Sequence, residues 1–429
     1  MRKKLLLQIR LDEHHKFLLD EVCHKEKVTA SEKVRELIQL HFQSLNQENS
    51  NNLKKNMKKH TPQWNPNEKQ RKLTTGEMYS GPGGIGLALK ESRFNAKGFD
   101  LSFEHLWATD YDADTCLTYK NNLLQKNSDA ISICEDIRKI NIKDLPIVDG
   151  FLYGFPCNDF SIVGETKGLK GEFGPLYKYG VEYINHANPL FIFAENVSGL
   201  GSANSGNAFK EILKELNHAG KYGYNLSVHL YKFEEYGIPQ ARHRFIVIGT
   251  RGDLNINFNV PKPSLNFKSC KDAIEIPPIS SNCANNELTK QSLNVIERLK
   301  HTKPGENAWT ANLPEHLKLN VKGAKLSQIY KRLDPSKPSY TITGSGGGGT
   351  HVYHWKENRA LTNRERARLQ TFPDSFVFYG TKESVRSQIG MAVPVEGVKI
   401  ILQALLKSFS NEKYQSIEPS HGKFISKTL

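Results

Sequence analysis

Residues 76–94 read GEMYSGPGGIGLALKESRF, and this stretch decides how the rest of the chain is interpreted. A short strand runs into a glycine-rich turn, and a helix follows the turn. Glycine permits unusual dihedrals and lets the backbone approach a ligand closely, which is typical of a cofactor-binding turn. The turn matches neither G-x-G-x-x-G nor a phosphate loop with its lysine, so a purely structural turn remains the alternative.

The chain after this turn alternates between short apolar strands and helical stretches. Strands are predicted at HLWATD, VDGFLYGFP, PLFIFAENV and HRFIVIGT. This alternation predicts an α/β fold with a doubly wound, Rossmann-like parallel sheet. The rhythm is lost over 251–358, which contains GSGGGGT, and returns in VEGVKIILQALLKSF. We predict a main domain over 76–250, a smaller inserted region over 251–358, a returning part over 359–410 and a tail over 411–429.

Two acidic residues follow the glycine turn in chain order. Asp110 ends the second predicted strand, where a carboxylate can accept hydrogen bonds from ribose hydroxyls. Asp136 follows in CEDI. Together with the glycine turn, these acids favour a nucleoside-containing cofactor.

Reactive side chains lie at the ends of later strands. Cys157 follows a strand in GFPCNDFS, where Pro156 stiffens the turn that presents the thiol. A buried structural cysteine is the alternative, but this edge of an open sheet is its ligand-binding side. Glu195 ends the strand FIFAENV, where a carboxylate is costly without a partner or a task. Arg242 and Arg244, in PQARHRF, are expected to fix the thiolate and the substrate electrostatically.

Composition narrows the class of protein. The chain has 429 residues, of which 38% are apolar and 24% charged, so a globular core is expected. No apolar run approaches the roughly 20 residues of a membrane span, and the N-terminus is unlike a signal peptide. The net charge of +14 favours a polyanionic partner such as nucleic acid. The six cysteines form no C-x-x-C pair, so we predict no metal site and a cytoplasmic, nucleoid-associated protein.

The first 45 residues form a unit of their own. Residues 4–11 alternate between apolar and polar positions, which predicts a strand with Lys4, Gln8 and Arg10 on its polar face. Helices are predicted over 12–25 and 32–45, the second capped by Thr29 or Ser31. In the first helix the side chains expected to point inward are Phe17, Leu18 and Val22. Strand, helix and helix give a core too small for a lone monomer.

Residues 1–45 resemble the ribbon-helix-helix DNA-binding family. In that family two chains pair their strands into a ribbon that enters the major groove. The resemblance implies a homodimer through residues 1–45, with Lys4, Gln8 and Arg10 contacting DNA, and a possible role in regulating transcription. A small dimerisation or docking module is the alternative. Residues 46–75 are rich in Asn, Lys and Gln, which predicts a flexible basic linker.

Residues 76–408 resemble the cytosine-C5 DNA methyltransferases of bacterial restriction–modification systems. Six or more motifs in the family's order are highly specific, whereas residues 1–75 lie outside the resemblance. The motifs are MYSGPGGIGLAL, ATDYD, EDI, GFPCNDFS, AENV, PQARHRFIVIG, RALTNRERARLQTFPDSF and SQIGMAVPV.

The resemblance implies methylation at C5 of a flipped cytosine in a specific double-stranded DNA sequence, through a covalent bond from Cys157 to C6. It implies S-adenosylmethionine as cofactor, S-adenosylhomocysteine as product, no metal, and target reading by residues 251–358. A cognate endonuclease would be paired genetically rather than by contact. The implied catalytic residues are Cys157, Glu195, Arg242 and Arg244. The implied cofactor-binding residues are Tyr79, Ser80, Gly81, Gly83, Gly84, Ile85, Asp110, Tyr111, Asp136, Ile137, Pro156 and Leu176, and Ser161 is an implied DNA contact.

Three residues depart from the family pattern. Asn158 stands where Gln is usual, Met391 replaces a common Asn, and Tyr79 replaces the usual Phe. These departures bear on rate rather than on class. Two alternatives stay open at this point, namely a tRNA cytosine methyltransferase from the same family and a non-catalytic DNA-binding regulator that keeps the fold.

Overall fold

The structure is a computed structural model, and the chain divides into two compact units, residues 1–56 and residues 57–429. The predicted strand 4–11 and most of the predicted helix 32–45 lie outside the described residues. The described residues are 13–26, 28–30, 32–34, 37, 60–124, 130–155, 176–197, 207–320, 326–344 and 346–426.

The N-terminal unit contains helix α1 (Glu13–Glu26), close to the predicted 12–25. Thr29, one of the two candidate caps for the next helical segment, has a capping box, and Ser31 lies outside the described residues. The Thr29 Oγ1 accepts the N–H of Glu32 at 3.2 Å, and a Glu32 carboxylate oxygen accepts the N–H of Thr29 at 2.8 Å. The expected inward face of α1 is wrong for the single chain, because Phe17, Leu18 and Val22 are 61%, 43% and 37% exposed.

The larger unit is built on a mixed β-sheet. Its strands, in spatial order, are β13, β7, β9, β6, β5, β1, β3 and β2, and β4 also pairs with β3. The strands are β1 (Gln70–Met78), β2 (Arg93–Ala96), β3 (Phe99–Asp110), β4 (Ile131–Cys134), β5 (Gly150–Gly154), β6 (Phe191–Val197), β7 (Tyr224–Lys232), β8 (Gln240–Ala241), β9 (His243–Arg251), β10 (Val260–Pro261), β11 (Ser339–Tyr340), β12 (Ser416–Ile417) and β13 (Lys423–Phe424).

The core of this sheet is parallel, which confirms the predicted doubly wound class. Strands β4, β3, β1, β5 and β6 run in one direction, so their carboxyl ends meet at one edge. Strand β9, predicted within the parallel sheet, instead runs antiparallel to both β6 and β7. The reason is the short connection from β7 to β9, since a parallel neighbour would need a long crossover.

Helices cover both faces of the sheet. Along β6, Phe191 and Phe193 pack on one face, with α2 and α10, whereas Ile192 packs on the other, with α4 and α5. This alternation is the two-residue period of a strand buried on both sides. The helices are α2 (Gly84–Glu91), α3 (Ala113–Leu123), α4 (Tyr177–Ala187), α5 (Asn207–His218), α6 (Cys270–Glu275), α7 (Leu293–Lys300), α8 (Asn363–Leu369), α9 (Lys382–Met391) and α10 (Val395–Phe409).

The inserted region has a small core of its own. Leu299 of α7 packs there with Tyr330 and Tyr353. Arg332 is buried and donates to the main-chain oxygens of Leu299 and His354 at 2.7 and 2.8 Å. One arginine thereby holds together segments that have little regular secondary structure.

The larger unit begins before the predicted boundary at residue 76. Strand β1 starts at Gln70, and the segment before it packs on the domain. The Trp64 ring meets Phe409 edge-on at 4.9 Å, and His60 and Arg71 lie 3.0 and 2.9 Å from the buried Asp149 carboxylate. Residues 60–75 are therefore part of the domain, because an aromatic anchor and a buried carboxylate hold them there.

Two C-terminal segments also differ from simple expectation. The predicted tail contributes β13, which pairs with β7 at the sheet edge, so it belongs to the sheet. The span Lys382–Phe409 is long and apolar enough to cross a membrane, but its apolar window is 72% buried inside the fold. Residues 392–394 interrupt it between α9 and α10, as expected of core helices.

Candidate active site

The glycine turn joins β1 to α2 at the carboxyl edge of the sheet. Gly83 precedes the helix with φ of 104°, a left-handed conformation that side chains rarely adopt. At Gly84 a Cβ atom would lie 2.5 Å from the main-chain oxygen of Val393, so the close packing of α2 requires glycine. The Ser80 N–H donates to the Thr109 oxygen at 2.9 Å, which fixes the turn against β3.

Asp110 ends β3 directly beside this turn. One carboxylate oxygen accepts the Gly81 N–H at 2.9 Å, and the other accepts the Asp112 N–H at 3.1 Å. Burial raises the pKa of Asp110, while these N–H donors oppose the rise. Each oxygen keeps a lone pair for a further donor.

Asp136 lies after β4 and is already paired. Its carboxylate accepts from the guanidinium of Arg138 at 2.6 Å, and this pairing lowers its pKa. Ile137 beside it is buried. The neighbouring Tyr111 is largely exposed at the edge of the site.

A cavity of about 770 Å³ gathers most of the residues that the sequence indicated. That volume is typical of a site for a ligand of drug size. Gly83 of the turn is not among the lining residues. The predicted residues that line the cavity are Tyr79, Ser80, Gly81, Gly84, Ile85, Asp110, Tyr111, Asp136, Ile137, Leu176, Glu195, Arg242 and Arg244.

Glu195 and Arg244 form a shielded ion pair in the cavity wall. The Arg244 Nε lies 2.9 Å from a Glu195 oxygen, and both side chains are nearly buried. Burial raises the pKa of Glu195, against the opposite effect of the Arg244 and Arg242 charges. The carboxyl group can therefore hold a proton at a higher pH than an exposed glutamate, which suits proton sharing with a ligand.

Arg242 has a different environment from Arg244. Its guanidinium donates to the main-chain oxygens of Ile342 and Gly390, each at 3.0 Å. Gln240 runs alongside and accepts the Ile342 N–H at 2.8 Å. Arg242 thereby ties the end of the inserted region to the cavity wall, so its geometry is that of a positioning residue.

The predicted nucleophile Cys157 lies outside the described residues, as do Pro156, Ser161, Lys4, Gln8 and Arg10. The chain on either side of 156–175 is described and reaches the cavity. Phe155 and Leu176 both line it, and the Tyr79 hydroxyl donates to the Leu176 oxygen at 2.8 Å.

The sequence interpretation missed several residues of this site. Asn196 donates its amide N–H to the Phe155 oxygen at 3.0 Å, so it holds the strand end that leads to Cys157. In the sequence, its position beside Glu195 in AENV was the feature that could have indicated this role. Gln388 of α9 lines the cavity and accepts from the Thr118 hydroxyl at 2.7 Å. Met391, noted only as a departure, lines the cavity and is 55% exposed.

Two known type II methyltransferases are similar to this chain over most of its length. Type II methyltransferase M.BbvI of Brevibacillus brevis is 53% identical over 352 residues, covering 81% of this chain and 94% of that protein. Type II methyltransferase M.NgoFVII of Neisseria gonorrhoeae is 36% identical over 365 residues, covering 82% and 91%.

The fold has a counterpart among solved structures. It is a protein described as a DNA modification methyltransferase and encoded within an Escherichia coli prophage. The two structures superpose with a TM-score of 0.60 at 21% sequence identity, and the match covers 79% of this chain and all of that one. The family model for C-5 cytosine-specific DNA methylases matches residues 73–407. This chain belongs to the C-5 cytosine-specific DNA methylase family.

Proposed function

We propose that this chain methylates C5 of one cytosine within a specific double-stranded DNA sequence, using Cys157 as nucleophile, and that it protects host DNA from a cognate endonuclease. The observation that carries the proposal is the Glu195–Arg244 pair, 2.9 Å apart, which lines the same cavity as Asp110. The similarity to type II methyltransferases favours DNA over tRNA as the substrate. A cytoplasmic location belongs to the same proposal.

The cavity fits the S-adenosylmethionine that this family uses. Asp110 offers carboxylate lone pairs to ribose hydroxyls. A Cβ at Gly81 would meet no atom within 4 Å, so the turn leaves open space beside the cavity. The Tyr79 ring, held through its hydroxyl, offers an aromatic face for the adenine. Because Asp136 is paired with Arg138, we assign it a smaller share of the binding than Asp110.

Side chains of this protein can activate C5 of cytosine, which by itself is a poor nucleophile. Cytosine C5 is unreactive because its ring is aromatic and neutral. Addition of the Cys157 thiolate to C6 makes C5 an enamine carbon, and Glu195 shares a proton with N3, where negative charge would otherwise build up. When bound, S-adenosylmethionine supplies the methyl group on a positively charged sulfur. Loss of the C5 proton and expulsion of Cys157 then restore the ring.

Chain connectivity supports Cys157 as the proposed nucleophile. Cys157 comes two residues after Phe155, which lines the cavity, and two residues of chain reach at most about 7 Å. Asn196 fixes that strand end from the strand that carries Glu195. None of the reacting atoms of cytosine is accessible inside a duplex, so the base must be flipped into the cavity.

Bisulfite sequencing of DNA from cells expressing the chain tests the proposal and reports the target site. We expect one cytosine of a single recurring sequence to be protected in these cells and not in cells expressing Cys157→Ala. Absence of protected DNA, together with methyl transfer to purified tRNA, would overturn the choice of substrate.

Cofactor binding gives a separate prediction. Asp110→Ala should weaken binding of S-adenosylmethionine and S-adenosylhomocysteine to a similar extent, because both carry the same ribose. Isothermal titration calorimetry measures both affinities. Asp100→Ala is a matched control, since Asp100 lies at the other end of β3 in a surface pair with Arg93. Unchanged affinity in Asp110→Ala would refute the assignment.

The N-terminal unit is proposed to dimerise and to bind DNA as a ribbon-helix-helix module. Its support is the exposed apolar face of α1, where Phe17, Leu18 and Val22 would be covered by a second copy. Lys4, Gln8 and Arg10, which the sequence predicts on the polar face of a strand over 4–11, are the proposed DNA contacts. Repression of the enzyme's own promoter is a further part of this hypothesis.

Deletion of residues 1–56 should leave methylation of the target largely intact and should turn a dimer into a monomer. It should also remove a second, salt-sensitive DNA-binding activity. Deletion through residue 70 is a poor substitute, because it removes the Trp64 and His60 contacts with the domain. Light scattering and DNA titrations measure the outcome, and a full-length chain that is monomeric would contradict the dimer.

A further inference from the structure

Two cysteines lie together behind the cavity wall. Cys116 is buried in α3, and Cys134 is the half-buried last residue of β4, and both are free thiols. The Cys116 Sγ donates to the main-chain oxygen of Asp110 at 3.4 Å. Cys134 is the direct cross-strand neighbour of Asp110 in the β3–β4 pair, so both cysteines lie beside the main chain of Asp110.

The thiol pair is coupled to the proposed cofactor site through the main chain. The Asp110 oxygen that accepts from Cys116 also accepts the Glu135 N–H, at 3.0 Å. Asp110, Glu135 and Asp136 all line the cavity. A displacement of either sulfur is therefore transmitted to carboxylates of the site within one or two residues.

The two thiols differ in their chemistry. Cys116 keeps its proton, since its pKa is raised by contact with Cys134 and by burial. The pKa of Cys134 is lowered by the same contact. The nearby charges of Asp110 and Asp112 oppose ionisation of both groups, and the charge of Glu135 opposes ionisation of Cys134. Cys134 is also the more accessible of the two, so we expect it to react first.

We propose that Cys116 and Cys134 form an oxidisable thiol pair, and that their disulfide weakens cofactor binding at the adjacent cavity. A peroxide is the oxidant. The Cys134 thiolate attacks one peroxide oxygen and becomes a sulfenic acid, releasing water after proton uptake. The Cys116 sulfur then displaces the hydroxyl from Cys134 as a second water, so two thiols and one peroxide give one disulfide and two waters.

The disulfide changes the site in two ways. It holds the sulfurs at about 2.05 Å, closer than unbonded sulfurs approach, which pulls the end of β4 toward α3. It also removes the S–H group that donates to the Asp110 oxygen. We expect the affinity for S-adenosylhomocysteine to fall by about tenfold, within the usual range of coupling between two sites.

The experiment uses the full-length chain with Cys157→Ala, so that oxidation of the proposed nucleophile does not contribute. The protein is treated with hydrogen peroxide and digested, and the peptides are identified by mass spectrometry with and without a reductant. Binding of S-adenosylhomocysteine is measured by calorimetry before oxidation, after oxidation and after reduction. Cys134→Ser and Cys116→Ser are added separately, and Cys283→Ser is the matched control.

We expect a Cys116–Cys134 peptide and a reversible loss of affinity in the parent and in Cys283→Ser, and neither in the two pair variants. The inference is overturned if the disulfide does not form, or if it forms and the affinity is unchanged. The inference rests on the proposed cofactor site, but the two fail separately. Absence of binding in the untreated protein would contradict the proposed function, whereas unaltered binding after oxidation would contradict only the thiol pair.

Discussion

Cys157→Ala is expected to abolish methyl transfer while leaving DNA and cofactor binding largely intact. Without a nucleophile at C6, C5 keeps the low reactivity of a neutral aromatic ring. Cys157→Ser should fail as well, because a hydroxyl ionises far less readily than a thiol. This is the largest effect expected for any single substitution in the chain.

Transfer of a labelled methyl group to target DNA measures the loss, and gel-shift titration measures DNA binding in parallel. Cys283→Ala serves as the control, because Cys283 lies outside the cavity lining, where its Sγ donates to the Asp374 oxygen at 3.8 Å, and the variant should retain full activity. An alanine variant at position 157 that methylates at the wild-type rate would rule out the assignment.

Glu195→Gln is expected to slow turnover by about 10²–10⁴-fold, the usual contribution of general acid–base catalysis. Glutamine keeps the size and polarity of the side chain but has no proton to share with N3. Because Glu195 is paired with Arg244 rather than with groups that hold the cofactor, cofactor affinity should barely change. Single-turnover kinetics separates the chemical step from product release.

The same residue gives a pH dependence with a definite sign. Burial raises the pKa of Glu195, so its protonated fraction stays significant above the range of an ordinary glutamate and falls as the pH rises through the raised value. The Glu195-dependent part of the rate should fall in the same direction, and this limb should be missing in Glu195→Gln. Glu234→Gln is a fair control, since Glu234 pairs with His243 beside Arg244, outside the cavity lining. Turnover unaltered in Glu195→Gln would mean that another group assists N3.

The sequence was sufficient for the residues whose roles depend on local pattern. The strand, glycine turn and helix at 76–94 indicated the α/β class, because the positive φ at Gly83 and the close packing at Gly84 restrict the residues that can stand there. Asp110 and Glu195 were found because parallel strands end at one edge of a sheet, which places polar strand ends together. Motif order alone was enough for the family, which the relatives confirm.

Tertiary structure decided what depends on residues distant in the chain. The docking of Trp64 on Phe409 and the pairing of β13 with β7 arise from contacts that no local pattern encodes. The same holds for the role of Asn196, because its bond to the Phe155 oxygen joins residues about forty positions apart in the chain.

The arginines show the difference most clearly. Two residues apart in PQARHRF, Arg242 and Arg244 look equivalent in the sequence, and both were assigned to the chemistry. Folding separates them, since Arg244 faces the Glu195 carboxylate while Arg242 is tied to the oxygens of Ile342 and Gly390. Side-chain type and spacing therefore determined that this protein places cations beside a buried acid. The packing of the inserted region and of α9 against β8 and β9 decided which of the two arginines pairs with Glu195.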